Sequence, residues 1–373
     1  MAHLKGKIRP ILIIDLAKHF GGVEVRVLSM AKELQGQQPY AVATLKDSPL
    51  HRKLEAASLT CLPVPFARSD PRLLFFFRKV LRQQGFGVID AHNVQSQFWG
   101  HLAACLTGGI TKVTTVHSAY RIEHNRSLKG LFYEQILRMN SWLGARFIAV
   151  TGAVHDYLHD AGIPLKRISL VQNSIRLPSQ PNRTNRDALR KSLGWPEKSY
   201  IIIVVARLEP VKGHTFLLEA LGRLVDRQPL LRCLIVGEGR SRAELVSQVE
   251  QIKLQKIVHF TGFRDDIPAL LGASDLFCLP SLSEGLPYAL LESVAHNVPL
   301  LVTQVGGMAE LLQHGRTAFL VPPSDPDALA EGIQWCLDHP EETSAMSQKA
   351  HEWLRQTFNP QKMIDQTLTI YQS

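Results

Sequence analysis

Short apolar runs alternate with longer amphipathic stretches along the whole chain. The runs that predict strands are PILIID (10–15), YAVATL (40–45), VIDAH (88–92), KVTTVH (112–117), FIAVT (147–151), IIIVVA (201–206), LRCLIVG (231–237), IVHFTG (257–262), LFCLP (276–280) and PLLVT (299–303). They are apolar on both faces, as strands buried inside a parallel sheet are. In contrast, VEVRVLSMAKEL (23–34) repeats its apolar residues at helical spacing. The alternation predicts an α/β fold with doubly wound parallel sheets.

A change in composition separates two such series. The stretch NSIRLPSQPNRTN (173–185) holds two prolines and few apolar residues, which is typical of a linker. A length of 373 residues also favours two domains. We therefore expect one Rossmann-like domain over 1–176 and a second over 177–353. The last segment, 347–373, is predicted to be helical with a break at Pro360.

Composition bears on where the protein works and on the charge of its partners. No apolar stretch approaches the ~18 residues of a membrane span, and the short first run carries Asp15, which favours a strand over a signal peptide. Five cysteines without a CxxC pair favour core thiols in a reducing cytoplasm. The net charge of +9 favours an anionic partner: a phosphorylated ligand, an acidic membrane or nucleic acid.

Ligands of doubly wound sheets bind beyond the carboxyl ends of the strands, so the loops there are the candidates. HFGGVE (19–24) carries Gly21 and Gly22, which suit either a tight turn or close approach of the backbone to an anion. VARLEPVKGH (205–214) places Arg207 and Lys212 at a strand exit, as a diphosphate clamp or as solvated charges. LIVGEGRSRAEL (234–245) has Gly237 and Gly239 but Arg242 where a dinucleotide fingerprint has a third glycine.

Two further loops carry titratable groups. His117 ends the strand in TVHSAY (115–120) and suits either a structural or a ligand-binding role. In SEGLPYALLE (283–292) a helix is expected to begin near Leu286 or Pro287. Glu284 would then precede the helix, and Glu292 would lie about two turns along it, roughly 10–12 Å away. A long ligand such as a nucleotide sugar could contact both carboxylates, with a phosphate on the helix amides between them.

Other motifs give little support to a different chemistry. DPD (325–327) has a metal-binding spacing but is expected to cap the helix that follows it. His155 and His159 lack the glutamate of a zinc-binding HExxH helix, and no GxSxG motif or P-loop is present.

The stretch RSDPRLLFFFRKVLRQ (68–83) predicts an amphipathic helix. Leu73, Phe76, Phe77, Val80 and Leu81 share one face, while Phe75 falls with Arg72, Lys79 and Arg82. The basic face suits either an acidic membrane surface or solvent, with the apolar face on the sheet.

Together these elements resemble the retaining glycosyltransferases of the GT-B fold, the family four, group one enzymes with a Glu-x7-Glu motif. The motifs that carry the resemblance, in family order, are GGVE (21–24), His117, VQNSI (171–175), ARLEPVKG (206–213), VGEGRSR (236–242), FTGF (260–263), EGLPYALLE (284–292) and GGMAEL (306–311). The resemblance covers nearly the whole chain and implies two Rossmann-like domains facing across a deep cleft. It also implies that a C-terminal helix, 354–373, completes the first domain.

The resemblance implies transfer of a sugar from a nucleotide-sugar donor, with retention of configuration, to a carbohydrate or lipid-linked acceptor. Arg207 and Lys212 would bind the diphosphate, Glu292 the ribose, and Glu284 and His117 the sugar. Further donor contacts would come from Gly21, Gly22, Gly237, Gly262, Gly285, Leu286 and Pro287. No metal or other cofactor and no nucleic acid partner is expected, and the enzyme would be cytoplasmic, with possible peripheral contact with an acidic membrane.

Some positions depart from the family pattern, and other functions stay open. Ser174 and Ala206 stand where the family often has glycine, so local backbone geometry can differ there. A nucleotide-sugar 2-epimerase of the same fold would convert the donor without an acceptor. An NAD-dependent oxidoreductase is disfavoured, because Arg242 stands where a dinucleotide fingerprint has its third glycine. A catalytically silent nucleotide-sugar-binding protein would not need Glu284, Arg207 and Lys212. The sequence does not name the donor sugar, the base or the acceptor.

Overall fold

The computed structural model describes residues 9–123, 128–178 and 186–372. Part of the predicted linker, 179–185, therefore lies outside the described residues. The chain divides into two compact units: Met1–Ser174 with Phe358–Ser373, and Ile175–Thr357. The sequence placed these divisions at 176/177 and 353/354. The helix that ends at Thr357 stays whole within the second unit, and the helix that follows belongs to the first.

Unit 1 is a seven-stranded parallel sheet with helices on both faces. Its strands are β1 (Ile11–Asp15), β2 (Tyr40–Leu45), β3 (Cys61–Val64), β4 (Val88–Ala91), β5 (Thr111–Val116), β6 (Arg146–Ala149) and β7 (Ile168–Leu170). Its helices are α1 (Gly22–Leu34), α2 (Pro49–Ala56), α3 (Arg72–Gln84), α4 (Val94–Thr107), α5 (Tyr120–Glu123), α6 (Leu128–Trp142) and α7 (Gly152–Asp160). The strand order is β3-β2-β1-β4-β5-β6-β7, with all the strands parallel.

Unit 2 repeats this plan with six strands. They are β8 (Tyr200–Val205), β9 (Leu231–Val236), β10 (Val258–Gly262), β11 (Leu276–Leu279), β12 (Leu300–Thr303) and β13 (Phe319–Val321). The helices are α8 (Arg186–Ser192), α9 (His214–Leu224), α10 (Arg242–Gln251), α11 (Ile267–Gly272), α12 (Tyr288–Ala295), α13 (Gly306–Leu311), α14 (Pro326–Asp338) and α15 (Pro340–Thr357). The order is β10-β9-β8-β11-β12-β13, so the strand order reverses between β8 and β11.

The two faces of the unit 1 sheet have separate apolar cores. On one face, Ile11 and Ile13 of β1 pack in a cluster with Val27 and Met30 of α1, and the last helix, α16 (Pro360–Gln372), adds Ile364. On the other face, Leu12 and Ile14 pack with residues of α3 and α4. Successive strand residues point to opposite faces, so both sets must be apolar. This requirement is why the central strands could be predicted from sequence.

Three short strands were not predicted: β3, β7 and β13. Each lies at an edge of its sheet, where one side has no strand neighbour among the described residues. Edge strands bury less surface, so their sequences need no continuous apolar run, and β3 contains Pro63, which suits an edge.

The predicted amphipathic helix is confirmed as α3. Leu73, Phe77, Val80 and Leu81 are buried, while Phe75 is 68% exposed. The predicted break at Pro360 is also confirmed, because α16 starts there after α15 has ended. Among the described residues, no helix is long and apolar enough to cross a lipid bilayer.

Candidate active site

The reversal of strand order in unit 2 brings two loops together. The loop after β8 carries Lys212, and the loop after the adjacent strand β11 carries Glu284. The Lys212 Nζ lies 2.7 Å from the Glu284 Oε1, and the Ser281 hydroxyl donates to that same oxygen over 2.6 Å. Such a switch point is where doubly wound sheets bind ligands. The structure thus joins two of the predicted site residues that are 72 positions apart.

The ion pair between Lys212 and Glu284 is largely shielded from solvent. The two side chains are 15% and 7% exposed, and Ser281 is fully buried. The buried Thr303 at the end of β12 donates to the backbone oxygen of Ser281 over 2.5 Å. This hydrogen bond ties the loop after β11 to the neighbouring strand. Each charge compensates the other at this shielded position, so removal of one partner would leave the other charge unpaired.

Glycines let the backbones of these loops approach one another. A Cβ atom on Gly213 would lie 2.0 Å from the backbone oxygen of Pro280, and one on Gly306 would lie 1.9 Å from that of Glu284. Both glycines have positive φ angles, +67° and +49°. Gly306, the first residue of α13, therefore packs directly on the backbone of Glu284, which pairs with Lys212. Close support of Glu284 is the physical reason for a glycine at 306.

Glu292 lies on α12 and is half-buried. Burial raises the pKa of its carboxyl group to about 7. Among the described residues, no cation lies within ion-pair distance of it. The helix starts at Tyr288, later than the sequence indicated, because Pro287 has an extended ψ of 130° and forms the N-cap instead of the first turn. A half-buried acid that has no ion-pair partner among the described residues is a candidate for ligand binding.

The remaining predicted residues of unit 2 lie on neighbouring loops. Arg207 follows β8 and is exposed, and Gly237 follows β9, where its N–H donates to the carbonyl of Gly262 at the end of β10 over 2.9 Å. The carbonyl of Gly285 accepts from the Gly307 N–H over 3.1 Å, while Leu286 is buried. All of these loops follow parallel strands of one sheet and therefore lie at its carboxyl edge.

Unit 1 places its predicted residues at the carboxyl edge of the other sheet. Gly21 caps α1 in extended conformation and donates its N–H to the Glu24 Oε2 over 2.6 Å, and Gly22 begins the helix. His117 directly follows β5, and its Nε2 lies 3.1 Å from the Nδ1 of His92. Burial, and then the proximity of the His92 ring, lower the pKa of His117 well below its ordinary value.

Comparison with known families decides the identity of the chain. A model of the glycosyl transferases group 1 matches residues 185–353, and a model of glycosyltransferase family 4 matches residues 20–177. The chain belongs to this family of glycosyltransferases. The two matches fall on the two units and include every predicted site residue.

Known relatives of this glycosyltransferase cover much of its length. The UDP-Gal:alpha-D-GlcNAc-diphosphoundecaprenol alpha-1,3-galactosyltransferase of Escherichia coli is 27% identical over 81% of this chain and 79% of its own. The N-acetyl-alpha-D-glucosaminyl L-malate synthase of Bacillus anthracis is 30% identical over 60% of this chain and 58% of its own. The solved structure of Anabaena HepE in complex with UDP and glucose has a TM-score of 0.84 at 23% identity, covering 97% and 99% of the two chains. That likeness shows the GT-B fold.

The glycosyltransferase also carries buried polar groups that sequence reasoning missed. Asp15 and Asp90 lie in strands of unit 1 and are fully buried, as is Arg26 of α1. The Arg26 Nη1 donates to Val171 and to Asn173 over 3.2 and 2.8 Å. An acid within an otherwise apolar strand is the signal that could have found the first two.

The DPD stretch (325–327) caps a helix, as the sequence predicted. The Asp325 side chain accepts a hydrogen bond from the Ala328 N–H over 2.9 Å and caps α14, which confirms the predicted role of DPD.

Proposed function

We propose that this glycosyltransferase moves a sugar from a nucleotide-sugar donor to an acceptor hydroxyl, with retention of the anomeric configuration. The observation that carries the proposal is the shielded pair of Lys212 and Glu284 at the switch point of unit 2. A cation that suits a diphosphate there lies next to a carboxylate that suits sugar hydroxyls, on loops where ligands of this fold class bind.

Unit 2 would bind the nucleotide. Glu292 would accept hydrogen bonds from the two ribose hydroxyls, since a carboxylate has two oxygens for a pair of neighbouring donors. Arg207 and Lys212 would neutralise the diphosphate, and the backbone around 285–287 would face it at the start of α12. The glycines at 237 and 262 would leave room for the donor beside these groups.

When the donor binds, its diphosphate would replace Glu284 as the ion-pair partner of Lys212. The diphosphate supplies two negative charges, so the ammonium group has a stronger attraction there than at Glu284 alone. Glu284 would then accept hydrogen bonds from the sugar. The ion pair of the free protein would thus hold both groups in place until the donor arrives, which lowers the cost of ordering them.

The chemistry would be a front-face displacement. The bond between the anomeric carbon and the diphosphate breaks as the acceptor oxygen attacks from the same face, and a leaving phosphate oxygen takes the acceptor proton. Lys212 and Arg207 would stabilise the charge that develops on the diphosphate, without a requirement for a divalent metal. His117 would contact the sugar, and the backbone at Gly21 and Gly22 would approach it.

The relatives suggest which substrates to test first. The Anabaena structure holds UDP and glucose, and the Escherichia coli enzyme uses a UDP-sugar and a diphosphoundecaprenol-linked acceptor. We therefore propose a UDP-sugar as the donor and a lipid-linked sugar as the acceptor. A thermal-shift screen against UDP-, GDP-, ADP- and CDP-sugars tests the donor, because a ligand of the folded state raises the melting temperature.

Turnover of variants tests the residue roles. Glu284→Ala and Lys212→Ala should each reduce kcat by about 100-fold or more while the protein still folds, because each removes a charge at the reacting centre. Circular dichroism checks the fold. Rates like those of the wild type in both variants would contradict the proposal. A product assay separates transfer from epimerisation, which changes the donor without an acceptor.

A lipid-linked acceptor would require access to a membrane surface, and we propose the outer face of α3 for this contact. Phe75 is largely exposed and shares its face with the exposed cations Lys79 and Arg82, at i, i+4 and i+7. Arg72 contributes less, because its guanidinium group is paired with Asp70 over 2.6 Å. An exposed aromatic ring flanked by cations suits anionic headgroups.

Vesicle flotation tests this contact. The wild type should float with phosphatidylglycerol-containing vesicles and not with phosphatidylcholine alone. Phe75→Ser should reduce flotation severalfold, since it removes the apolar group without loss of charge. The matched control is Leu230→Ser, because Leu230 is also an exposed apolar residue but belongs to unit 2. Equal flotation of both variants and the wild type would refute this surface.

A further inference from the structure

A line of buried polar groups crosses one face of the unit 1 sheet at its carboxyl edge. On β4 and β5, Val88 and Val113 belong to the apolar core on the α1 and α16 side. Side chains alternate along a strand, so Asp90 and Thr115 point to this same face two residues later. His92 and His117 follow after another two residues, where the strands end. The line therefore leads from the core to a predicted sugar-binding residue.

Asp90 is the anionic end of this line. The Thr115 hydroxyl donates to its Oδ1 over 2.9 Å, and the Tyr371 hydroxyl of α16 donates to its Oδ2 over 2.6 Å. The Nε2 of His92 lies 3.4 Å from the same Oδ2. Burial alone would raise the pKa of Asp90, but His92 and the two hydroxyl groups outweigh it and bring the pKa down to about 2. The carboxyl group is therefore ionised at neutral pH.

An ionised Asp90 decides where His92 holds a proton. A carboxylate accepts hydrogen bonds only, so its charge favours a hydrogen on the Nε2 that faces it, although this 3.4 Å contact is not aligned as a hydrogen bond. In neutral His92 the other nitrogen, Nδ1, then has a free lone pair. That Nδ1 lies 3.1 Å from the Nε2 of His117, which must supply the hydrogen of this contact. Neutral His117 is then left with a lone pair on its own Nδ1.

We propose that Asp90 and His92 are positioning residues that fix the tautomer of His117, so that its Nδ1 accepts a hydrogen bond from a substrate hydroxyl. Among the described residues, His92 is the only hydrogen-bond partner of the His117 ring. The contact fixes the ring plane as well as the tautomer, because a ring held at one nitrogen directs the other. Tyr371 joins the C-terminal helix to this arrangement through Asp90. The inference rests on the proposed sugar contact of His117.

Enzyme kinetics with a donor from the screen give the first test. His92→Phe keeps the ring volume but removes the partner of His117, and should lower kcat/KM by about 10- to 100-fold, as loss of one oriented hydrogen bond does. His92→Asn can place an amide oxygen near the former Nδ1 and should recover most of the activity. His101→Phe is the matched control: His101 is also buried in unit 1, and its Nε2 contacts the Val113 carbonyl. It should leave kcat/KM unchanged.

A double-mutant cycle separates positioning from a general structural role. In a His117→Ala background, His92→Phe should have no further effect on kcat/KM, since the residue through which it acts is gone. An equal loss in both backgrounds would overturn the inference.

NMR of protein labelled with 15N-histidine tests the tautomer without any substrate. The wild type should show the hydrogen of His117 on Nε2, and His92→Phe should show a mixture of tautomers. A hydrogen on Nδ1 of wild-type His117 would overturn the inference. Failure of the proposed function would instead appear as no transfer with any donor, while the tautomers remain as predicted.

Discussion

Replacement of Glu292 by glutamine should stabilise the protein at high pH and weaken nucleotide binding. Glu292 is half-buried on α12 and, among the described residues, has no cation nearby. Its ordinary pKa of 4.5 is raised to about 7 by burial. Because one pKa unit corresponds to about 1.4 kcal/mol, ionisation of this carboxyl group costs the folded state up to about 3 kcal/mol.

The sign of the pH dependence follows from the direction of the pKa. Between pH 4.5 and about 7 the folded protein binds the proton that the unfolded chain has lost, so the free energy of unfolding falls as the pH rises. Below pH 4.5 the carboxyl group is neutral in both states and the cost is absent. Glu292→Gln carries no charge and avoids the loss. Its advantage over the wild type should therefore grow between pH 4.5 and 8.

Urea unfolding at several pH values measures this difference, with tryptophan fluorescence as the signal. The advantage of Glu292→Gln should increase by about 2–3 kcal/mol from pH 4.5 to pH 8. Glu219→Gln is the matched control, because Glu219 is an exposed glutamate on α9. A difference between wild type and Glu292→Gln that does not change with pH would show that folding does not raise the pKa of Glu292.

Binding of the nucleotide completes this test. Calorimetry should give a Kd for UDP about 10- to 100-fold weaker in Glu292→Gln, because hydrogen bonds from the ribose to a charged acceptor are lost. Wild-type affinity should also fall as the pH drops below 7, since the protonated carboxyl group loses an acceptor. Unchanged affinity in the variant would show that Glu292 does not contact the nucleotide.

Two further predictions concern the loops that hold Glu284. Lys212→Met should lower the melting temperature, because it leaves a shielded carboxylate unpaired, and the double variant Lys212→Met/Glu284→Gln should recover it. Both variants should remain inactive in turnover. A wild-type melting temperature for Lys212→Met would contradict the pairing. Gly306→Ala should reduce kcat at least about 10-fold by displacing Glu284, while Gly222→Ala, whose Cβ would meet its nearest neighbour at 3.8 Å, should not; equal kcat values in both would show that the Gly306 contact has no role.

Much of the fold could be predicted from sequence, for a physical reason. Central strands such as β1 and β8 are buried on both faces and must be apolar throughout, so their runs stand out. Edge strands such as β7 have no such requirement, and ISL gives no distinct signal. The start of α12 was placed too early, because the fixed φ of Pro287 suits an extended cap as well as a first turn.

The site was only partly predictable. The loops after the strands gave Lys212 and Glu284 as candidates, but their contact depends on which strands are neighbours, and that order is not written in the local sequence. Asp90 stands out as an acid within an apolar strand, but His92 alone resembles an ordinary polar residue at a strand end. Their role becomes visible only when Tyr371, 281 positions away, is found on the same carboxylate.

The anomeric configuration of the product decides whether this enzyme transfers its sugar with retention. Purified protein should be incubated with UDP-α-sugars and diphosphoprenol-linked N-acetylglucosamine, and the new anomeric proton followed by NMR. We predict a product with the α configuration that forms with release of UDP and requires Lys212 and Glu284. A β-linked product would rule out retention, and release of UDP without a new glycosidic bond would rule out transfer to this acceptor.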